Sequence, residues 1–337
     1  MDKNQIVGIV LIFTLFIVWQ QFFAPTPEQL EAEQAYRDSV ALVQQQAETP
    51  PVAQLDSLVD TLQSTQDDDT SVGSSDSVLL LQRTGIYGAF AGATIGTAAT
   101  EVLENDLMRV SINTKGGQIT EVLLKEYQQA LLDTNYKEYK IPLTLLDNPR
   151  NKFEYLLPVS GVPNGIVRTS DLIFQPTLEG NTLRLRAYAG PEQYIEQVYT
   201  IRDSSYLMDY DFKLVGLQQV LANSADELEL NWVDYLKKIE INENYERNYT
   251  TIYYKPVEDD VDRCSCTSSD EERADQPIKW VAAANQFFTS AIFADDRFKG
   301  ATLRTEILDK DARDLKKVEA RIRLPFGHSP EENIGMQ

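Results

Sequence analysis

A lysine followed by two glycines, Lys115-Gly116-Gly117, lies inside the stretch VLENDLMRVSINTKGGQITEVLL. Glycine-rich turns beside a lysine are one way a chain cradles a phosphate. That chemistry needs the full Walker or dinucleotide spacing, followed by a helix whose N-terminus faces the anion. Here the spacing is absent, and QITEVLL after the glycines carries a strand-like pattern. The pattern predicts a hairpin turn, where glycine supplies positive φ at no steric cost.

Other reactive groups are sparse. The two cysteines, Cys264 and Cys266, stand one residue apart in the polar run RCSCTSS, and the only histidine is His328. A cysteine pair so spaced can form a local disulfide or part of a metal site. Structural zinc takes four protein ligands, so the pair reads as loop thiols. Neither a G-x-S-x-G elbow nor an H-E-x-x-H motif occurs, and a histidine-based triad has only His328 to recruit, in the LPFGHSPEEN stretch near the chain end. Carboxylates abound, as in Glu240, Glu243 and Glu246 or Asp259, Asp260 and Asp262, but spacing selects no converging pair. No enzyme, metal or cofactor is expected. The formal net charge of −21 disfavours nucleic acid and other polyanions by Coulomb repulsion.

The elements that would position any site read as strands from about residue 98. TLRLRAYA sets Leu183 and Leu185 against Arg184 and Arg186. YLMDYDFKL sets Met208, Tyr210, Phe212 and Leu214 against Leu207, Asp209, Asp211 and Lys213. VEARIRLP places Val318, Ala320, Ile322 and Leu324 on one face, and ELELNW does so with Leu228, Leu230 and Trp232. Such alternation belongs to antiparallel strands packed on one side and wetted on the other. Turn markers recur at Leu157-Pro158, Val162-Pro163-Asn164-Gly165, Glu179-Gly180-Asn181 and Gly190-Pro191. A large β-sandwich over residues 98–327 is predicted. IKWVAAANQFFTSAIFA, residues 278–294, is too short and interrupted to span a bilayer and predicts a buried strand pair or short helix. NENYERNYTTIYYKP offers tyrosines for packing or, in the alternative reading of a membrane-tethered carbohydrate module, a sugar platform.

The N-terminus carries no charge between Lys3 and Glu28. Ile6, Val7, Ile9, Val10, Leu11, Ile12, Phe13, Leu15, Phe16, Ile17, Val18, Trp19, Phe22 and Phe23 form a segment that reaches about 28 Å as a helix to Ala24, close to a hydrocarbon core. Phe22-Phe23-Ala24 lacks the small residues of a cleavage site, which favours an uncleaved anchor over a signal peptide. Lys3 before the span puts the N-terminus in the cytoplasm by the positive-inside rule. Residues 1–24 are therefore read as the anchor, and 25–97 as an acidic spacer. The spacer starts with a helix capped at Thr26-Pro27 and includes STQDDDTSVGSSDS (64–77), too polar to fold.

Taken together, MDKNQIVGIVLIFTLFIVW, LENDLMRVSINTKGGQITEVLLKEY, NWVDYLKKIEINENYERNYTTIYYKP, YIEQVYTIRDSSYLMDYDFKL and IKWVAAANQFFTSAIFADDRF resemble the first part of the YidC family of membrane protein insertases, in the branch found in Bacteroidetes-like bacteria. The resemblance implies a transmembrane anchor and a periplasmic β-supersandwich similar to galactose mutarotases. It implies an inner-membrane location and the lipid bilayer, nascent inner-membrane proteins and the Sec translocon with its auxiliary subunits as partners. It also implies a membrane core beyond Gln337, so that residues 328–337 begin a linker and the chain is a fragment or truncated product of the insertase.

Overall fold

The computed structural model describes residues 73–132, 135, 137–310 and 313–337. The expected anchor, the helix expected after Thr26 and residues 64–72 of the acidic run lie outside them. Among the described residues no helix is long and apolar enough to cross a membrane.

Helix α1, Gly73–Tyr87, runs into a 3-10 helix, Gly88–Thr94. Strands β1 (Thr100–Glu104), β2 (Met108–Asn113), β3 (Gln118–Leu132) and β4 (Glu138–Leu145) then form an antiparallel four-stranded sheet in sequence order. A six-stranded sheet contains β5 (Lys152–Pro158), β6 (Ile166–Arg168), β11 (Glu227–Lys237), β14 (Asp270–Ala274), β17 (Gly300–Ile307) and β18 (Asp314–Pro325), in the order β14-β17-β18-β11-β5-β6. The largest sheet has nine strands. It adds β7 (Gln175–Glu179), β8 (Thr182–Gly190), β9 (Gln193–Ile201), β10 (Met208–Val215), β12 (Thr251–Pro256), β13 (Asp262–Arg263), β15 (Ile278–Ala284), β16 (Thr289–Phe298) and β19 (Glu331–Met336), in the order β13-β12-β15-β16-β19-β10-β9-β8-β7. A short helix α2, Glu243–Tyr249, precedes β12. The protein is mainly β, and its long sheets are antiparallel.

Alternation in the sequence becomes burial in the sandwich. Leu183, Leu185 and Phe212 of the nine-stranded sheet and Leu230, Ile322 and Leu324 of the six-stranded sheet are completely buried. On the outer side of β8 and β9, Arg186 donates to Glu196 at 2.7 Å, with Arg184 also within reach at 3.5 Å. The six- and nine-stranded sheets meet face to face where Tyr155 of β5 stacks on Phe212 of β10, ring centroids 3.6 Å apart and nearly parallel. Such a pair adds roughly 0.5–1.5 kcal/mol beyond the area it buries. Gly180, at φ +58°, makes the two-residue turn that sets Glu179 opposite Thr182 between β7 and β8.

Three boundaries differ from the expected ones. The folded body starts before residue 98, because Phe90 is completely buried and Ala93 accepts a hydrogen bond from the Ile173 amide. The small residues of GAFAGAT hide this in the sequence, since they show no period yet let a 3-10 turn approach the sheet closely. Gly73–Ser77, expected to be too polar to fold, belong to α1. The end of the chain, expected to begin a linker, forms β19, paired along β10 from Tyr210↔Met336 to Val215↔Glu331. Its Glu331 and Glu332 mask a strand whose Met336 is buried. IKWVAAANQFFTSAIFA is a strand pair, β15 and β16, closed by an Asn285–Phe288 turn in which the Asn285 amide donates to the Phe288 carbonyl at 3.0 Å. NENYERNY is helical rather than extended, with Asn242 at its N-cap accepting from the Tyr245 amide.

Candidate functional site

Where the four-stranded sheet meets the sandwich, the side chains leave a cleft of about 700 Å³. That is the size of a small-ligand site. Met108 and Val110 of β2 and Ile119, Val122 and Leu124 of β3 line one side; Phe153, Tyr199, Tyr210 and Trp232 form the floor from the sandwich strands. Met208, Leu207 and Tyr206 come from the start of β10 and the loop before it. Phe287 and Phe288, at the tip of the β15–β16 hairpin, close a third side with Ile292, Phe293 and Met336. Lys152 is the one charged side chain in this lining.

The floor is built from aromatic contacts and tied by polar ones. Phe153 meets Tyr210 edge-on at 5.7 Å, and Tyr199 lies 4.7 Å from Tyr210. Tyr210 donates its hydroxyl to Gln197 Oε1 at 3.0 Å, and Gln197 Nε2 donates to the Gly116 carbonyl at 2.9 Å. Tyr199 donates to the Gly117 carbonyl at 2.6 Å. Burial pushes both phenols well above their ordinary pKa, so the floor stays neutral at any physiological pH. The hairpin turn between β2 and β3 thus seats the four-stranded sheet on β9. Lys115 bridges to Ile173 on the same turn, and the Gly116 amide donates to the Leu172 carbonyl at 2.8 Å. The Lys115 amide donates to Asn113 Oδ1 at 2.8 Å, so this amide and that of Gly116 are both taken by protein and are not free for an anion.

The rim is aromatic. Tyr127 packs edge-on against Phe288 at 5.2 Å and lies 6.2 Å from Tyr206, while Phe287 is 61% exposed. Unbranched methionines and exposed rings accept apolar partners of varied shape. Among the described residues, the lining holds no histidine, cysteine or carboxylate side chain.

Beside the cleft a polar cluster joins β11 to the loop after β4. Lys237 donates to Thr144 Oγ1 at 2.6 Å and to Asp147 at 2.9 Å, and Arg313 reaches the same carboxylate at 2.7 Å. Burial works against the Asp147 charge, but the Lys237 and Thr144 hydrogen bonds win and hold its carboxyl below the usual range. Asp314 accepts from Asn148 at 2.7 Å and from Arg150 at 2.6 Å. Among the described residues, Asp234 accepts from the Asn151 side-chain amide, at 3.0 Å. Burial, with the nearby Asp147 and Asp314 charges, pushes it up to about 7. This cluster fastens the loop that carries Leu145 and Leu146 into the cleft wall.

The remaining sequence candidates scatter. Cys264 is buried and Cys266 half-buried, both as free thiols, and burial pushes the Cys264 thiol up to about 12. His328 is half-buried against Phe326, its Nε2 at the Ala225 carbonyl. Glu246 caps its own loop, accepting from the Ile239 and Glu240 amides at 3.1 Å, while Glu243 pairs with Arg247 at 2.7 Å. Asp259, Asp260 and Asp262 are exposed and do not converge on Glu240, Glu243 or Glu246. The tyrosines divide: Tyr245 and Tyr249 are exposed on α2, and Tyr254 is buried in β12. Sequence reasoning did not assemble the cleft, although the paired aromatics Phe287-Phe288, too greasy for a hairpin tip in water, were a signal for it.

The structure is thus an antiparallel β-sandwich carrying an aromatic, almost uncharged cleft. Residues 101–331 match the YidC periplasmic domain, and the chain belongs to the YidC family. It is 31% identical over 330 residues to the membrane protein insertase YidC of Parabacteroides distasonis, covering 97% of this chain and 49% of that protein. With the YidC of Bacteroides fragilis the identity is 27% over 334 residues, covering 98% and 50%. The chain thus spans about half the length of the curated relatives it matches. A galactose mutarotase-like protein from Lactobacillus casei superimposes with a TM-score of 0.43 at 7% identity, over 71% of this chain and 99% of that one.

Proposed function

We propose that this chain is the anchor-bearing, periplasmic part of a membrane protein insertase, and that its cleft receives apolar segments of nascent inner-membrane proteins. The observation that carries the reading is the cleft itself: about 700 Å³ lined by aromatic and methionine side chains, with Lys152 as its lone charge, in a chain of the YidC family. Such a surface gains free energy from apolar side chains leaving water, at roughly 25 cal/mol per Å², and is indifferent to their sequence. Insertion is then assisted by binding, with no covalent step assigned to this chain.

In this reading the segment from Ile6 to Phe23 anchors the chain in the inner membrane, the N-terminus is cytoplasmic and the β body periplasmic. The body is a supersandwich of the galactose mutarotase type, and the Sec translocon with its auxiliary subunits is the neighbour from which substrates arrive. The turn Lys115-Gly116-Gly117 serves to hold the cleft floor. A photo-crosslinking amino acid placed at Phe287 in the full chain, expressed in bacterial inner membranes, tests the reading. Adducts with nascent membrane proteins are expected there and not at Asp260, an exposed position outside the cleft. Equal labelling at both positions overturns it.

A further inference from the structure

Helix α1 presents to solvent the side chains that avoid water. Val78, Leu79, Leu80 and Leu81 are 54%, 47%, 44% and 74% exposed, and Ile86 is 56% exposed. Four consecutive residues sweep most of the way round a helix, so these side chains form no inward stripe of the kind a globular helix buries. The basic side chain turns the other way. Arg83, half-buried, donates from Nη1 to the Thr94 carbonyl at 3.0 Å, and the Thr84 hydroxyl donates to the Leu80 carbonyl at 2.7 Å within the helix. The Arg83 guanidinium is thus satisfied within the protein, while the leucines are left outside.

Charge is distributed in the same sense. Between Asp76 and Glu101 the sequence has no acidic residue and Arg83 as its single charge, in a chain whose net charge is −21. Anionic lipid headgroups repel carboxylates, and this is a stretch that can approach them without that cost. At 15 residues, about 22 Å long, α1 is too short to cross the hydrocarbon layer and long enough to lie along its surface.

We propose that α1 is an interfacial helix that seats the β body on the lipid bilayer through Val78–Leu81 and Ile86. The proposal rests on the reading of the chain as membrane-tethered, which supplies the bilayer. The test uses the full chain carrying Cys266→Ser, which leaves Cys264 buried, with a single probe site at Leu81→Cys or, as the control, at Thr177→Cys on the exposed strand β7. Each is labelled with a polarity-sensitive fluorophore and reconstituted into phosphatidylcholine/phosphatidylglycerol vesicles containing brominated lipid. Blue-shifted emission and about twofold or greater extra quenching at Leu81 relative to Thr177 are expected. Equal quenching at the two sites overturns the proposal, as does copy-to-copy disulfide formation at Leu81→Cys without lipid quenching, which would assign the helix to a second copy. Alkaline carbonate extraction reports separately on the tether: a chain released by carbonate contradicts the anchor, while quenching at Leu81 still supports the interfacial helix and its absence still overturns it.

Discussion

Tyr199 on β9 donates its hydroxyl to the carbonyl oxygen of Gly117 at 2.6 Å, joining residues 82 positions apart. A turn in one sheet thereby hangs from the floor of the cleft in another. The cleft keeps its shape because that turn is held at both glycine carbonyls, one by Tyr199 and the other by Gln197.

Gly117→Ala is expected to cost more than Gly116→Ala. Both glycines have positive φ, +66° and +82°, and both alanines are strained by about 1 kcal/mol for that reason. At Gly117 a Cβ also falls on the Gln197 amide, whereas at Gly116 the nearest neighbour, Ser170 Cα, lies 3.2 Å away. Losses of about 2–4 kcal/mol and about 1–2 kcal/mol follow, measurable by urea denaturation of the full chain in detergent. Equal losses would show that Gln197 does not confine the turn.

Asp234 makes stability depend on pH in an unusual direction. Its carboxyl, raised to about 7 by burial, keeps a proton in the folded state that the unfolded chain releases near 3.9. Between these values the folded form binds more protons, so its contribution is fully present below about pH 4 and is lost as pH rises through about 7. Asp234→Asn removes this slope. Above pH 7 the variant should be more stable than the parent by on the order of 2–4 kcal/mol, with the gap closing by pH 4. Parallel pH curves for the two proteins would refute the assignment.

Phe287 separates binding from folding. Being 61% exposed at a hairpin tip, it contributes little to the core, and Phe287→Ser should change stability by no more than about 0.5 kcal/mol. Affinity for an apolar transmembrane-segment peptide, followed by fluorescence anisotropy, should drop by about tenfold. Phe212→Ala, at a completely buried position, should instead cost about 3–5 kcal/mol of stability.

The two thiols should differ in kind. Cys266, half-buried, is expected to react with a water-soluble thiol reagent in the native protein. Cys264, with no exposed surface and a thiol pushed up to about 12, is expected to react only after denaturation. Counting thiols by absorbance before and after adding guanidinium checks this, and two fast-reacting thiols in the native state would contradict the burial of Cys264.

Much of the architecture was legible because strand periodicity is local. Alternation in TLRLRAYA, YLMDYDFKL, ELELNW and VEARIRLP marked in advance which side chains of β8, β10, β11 and β18 face inward, since successive residues of a strand point to opposite sides whatever they pair with. Where one large side chain among small ones does the packing, as with Phe90, or where glutamates occupy the wet face of a short strand, as in β19, the period is too weak to read.

By itself the sequence determined that this chain is an acidic, histidine-poor protein with a greasy N-terminal segment and a body of strands, because composition and short-range period need no partner to be meaningful. Only the tertiary structure decided that Met108, Tyr199, Trp232 and Phe287, spread over 180 positions, leave a gap between sheets, and that Asp234 lies near Asp147 and Asp314. A cleft is space left over when layers of unequal curvature and length meet, and a shifted pKa is the sum of neighbours brought in by those layers. Neither quantity is carried by any residue's own chemistry.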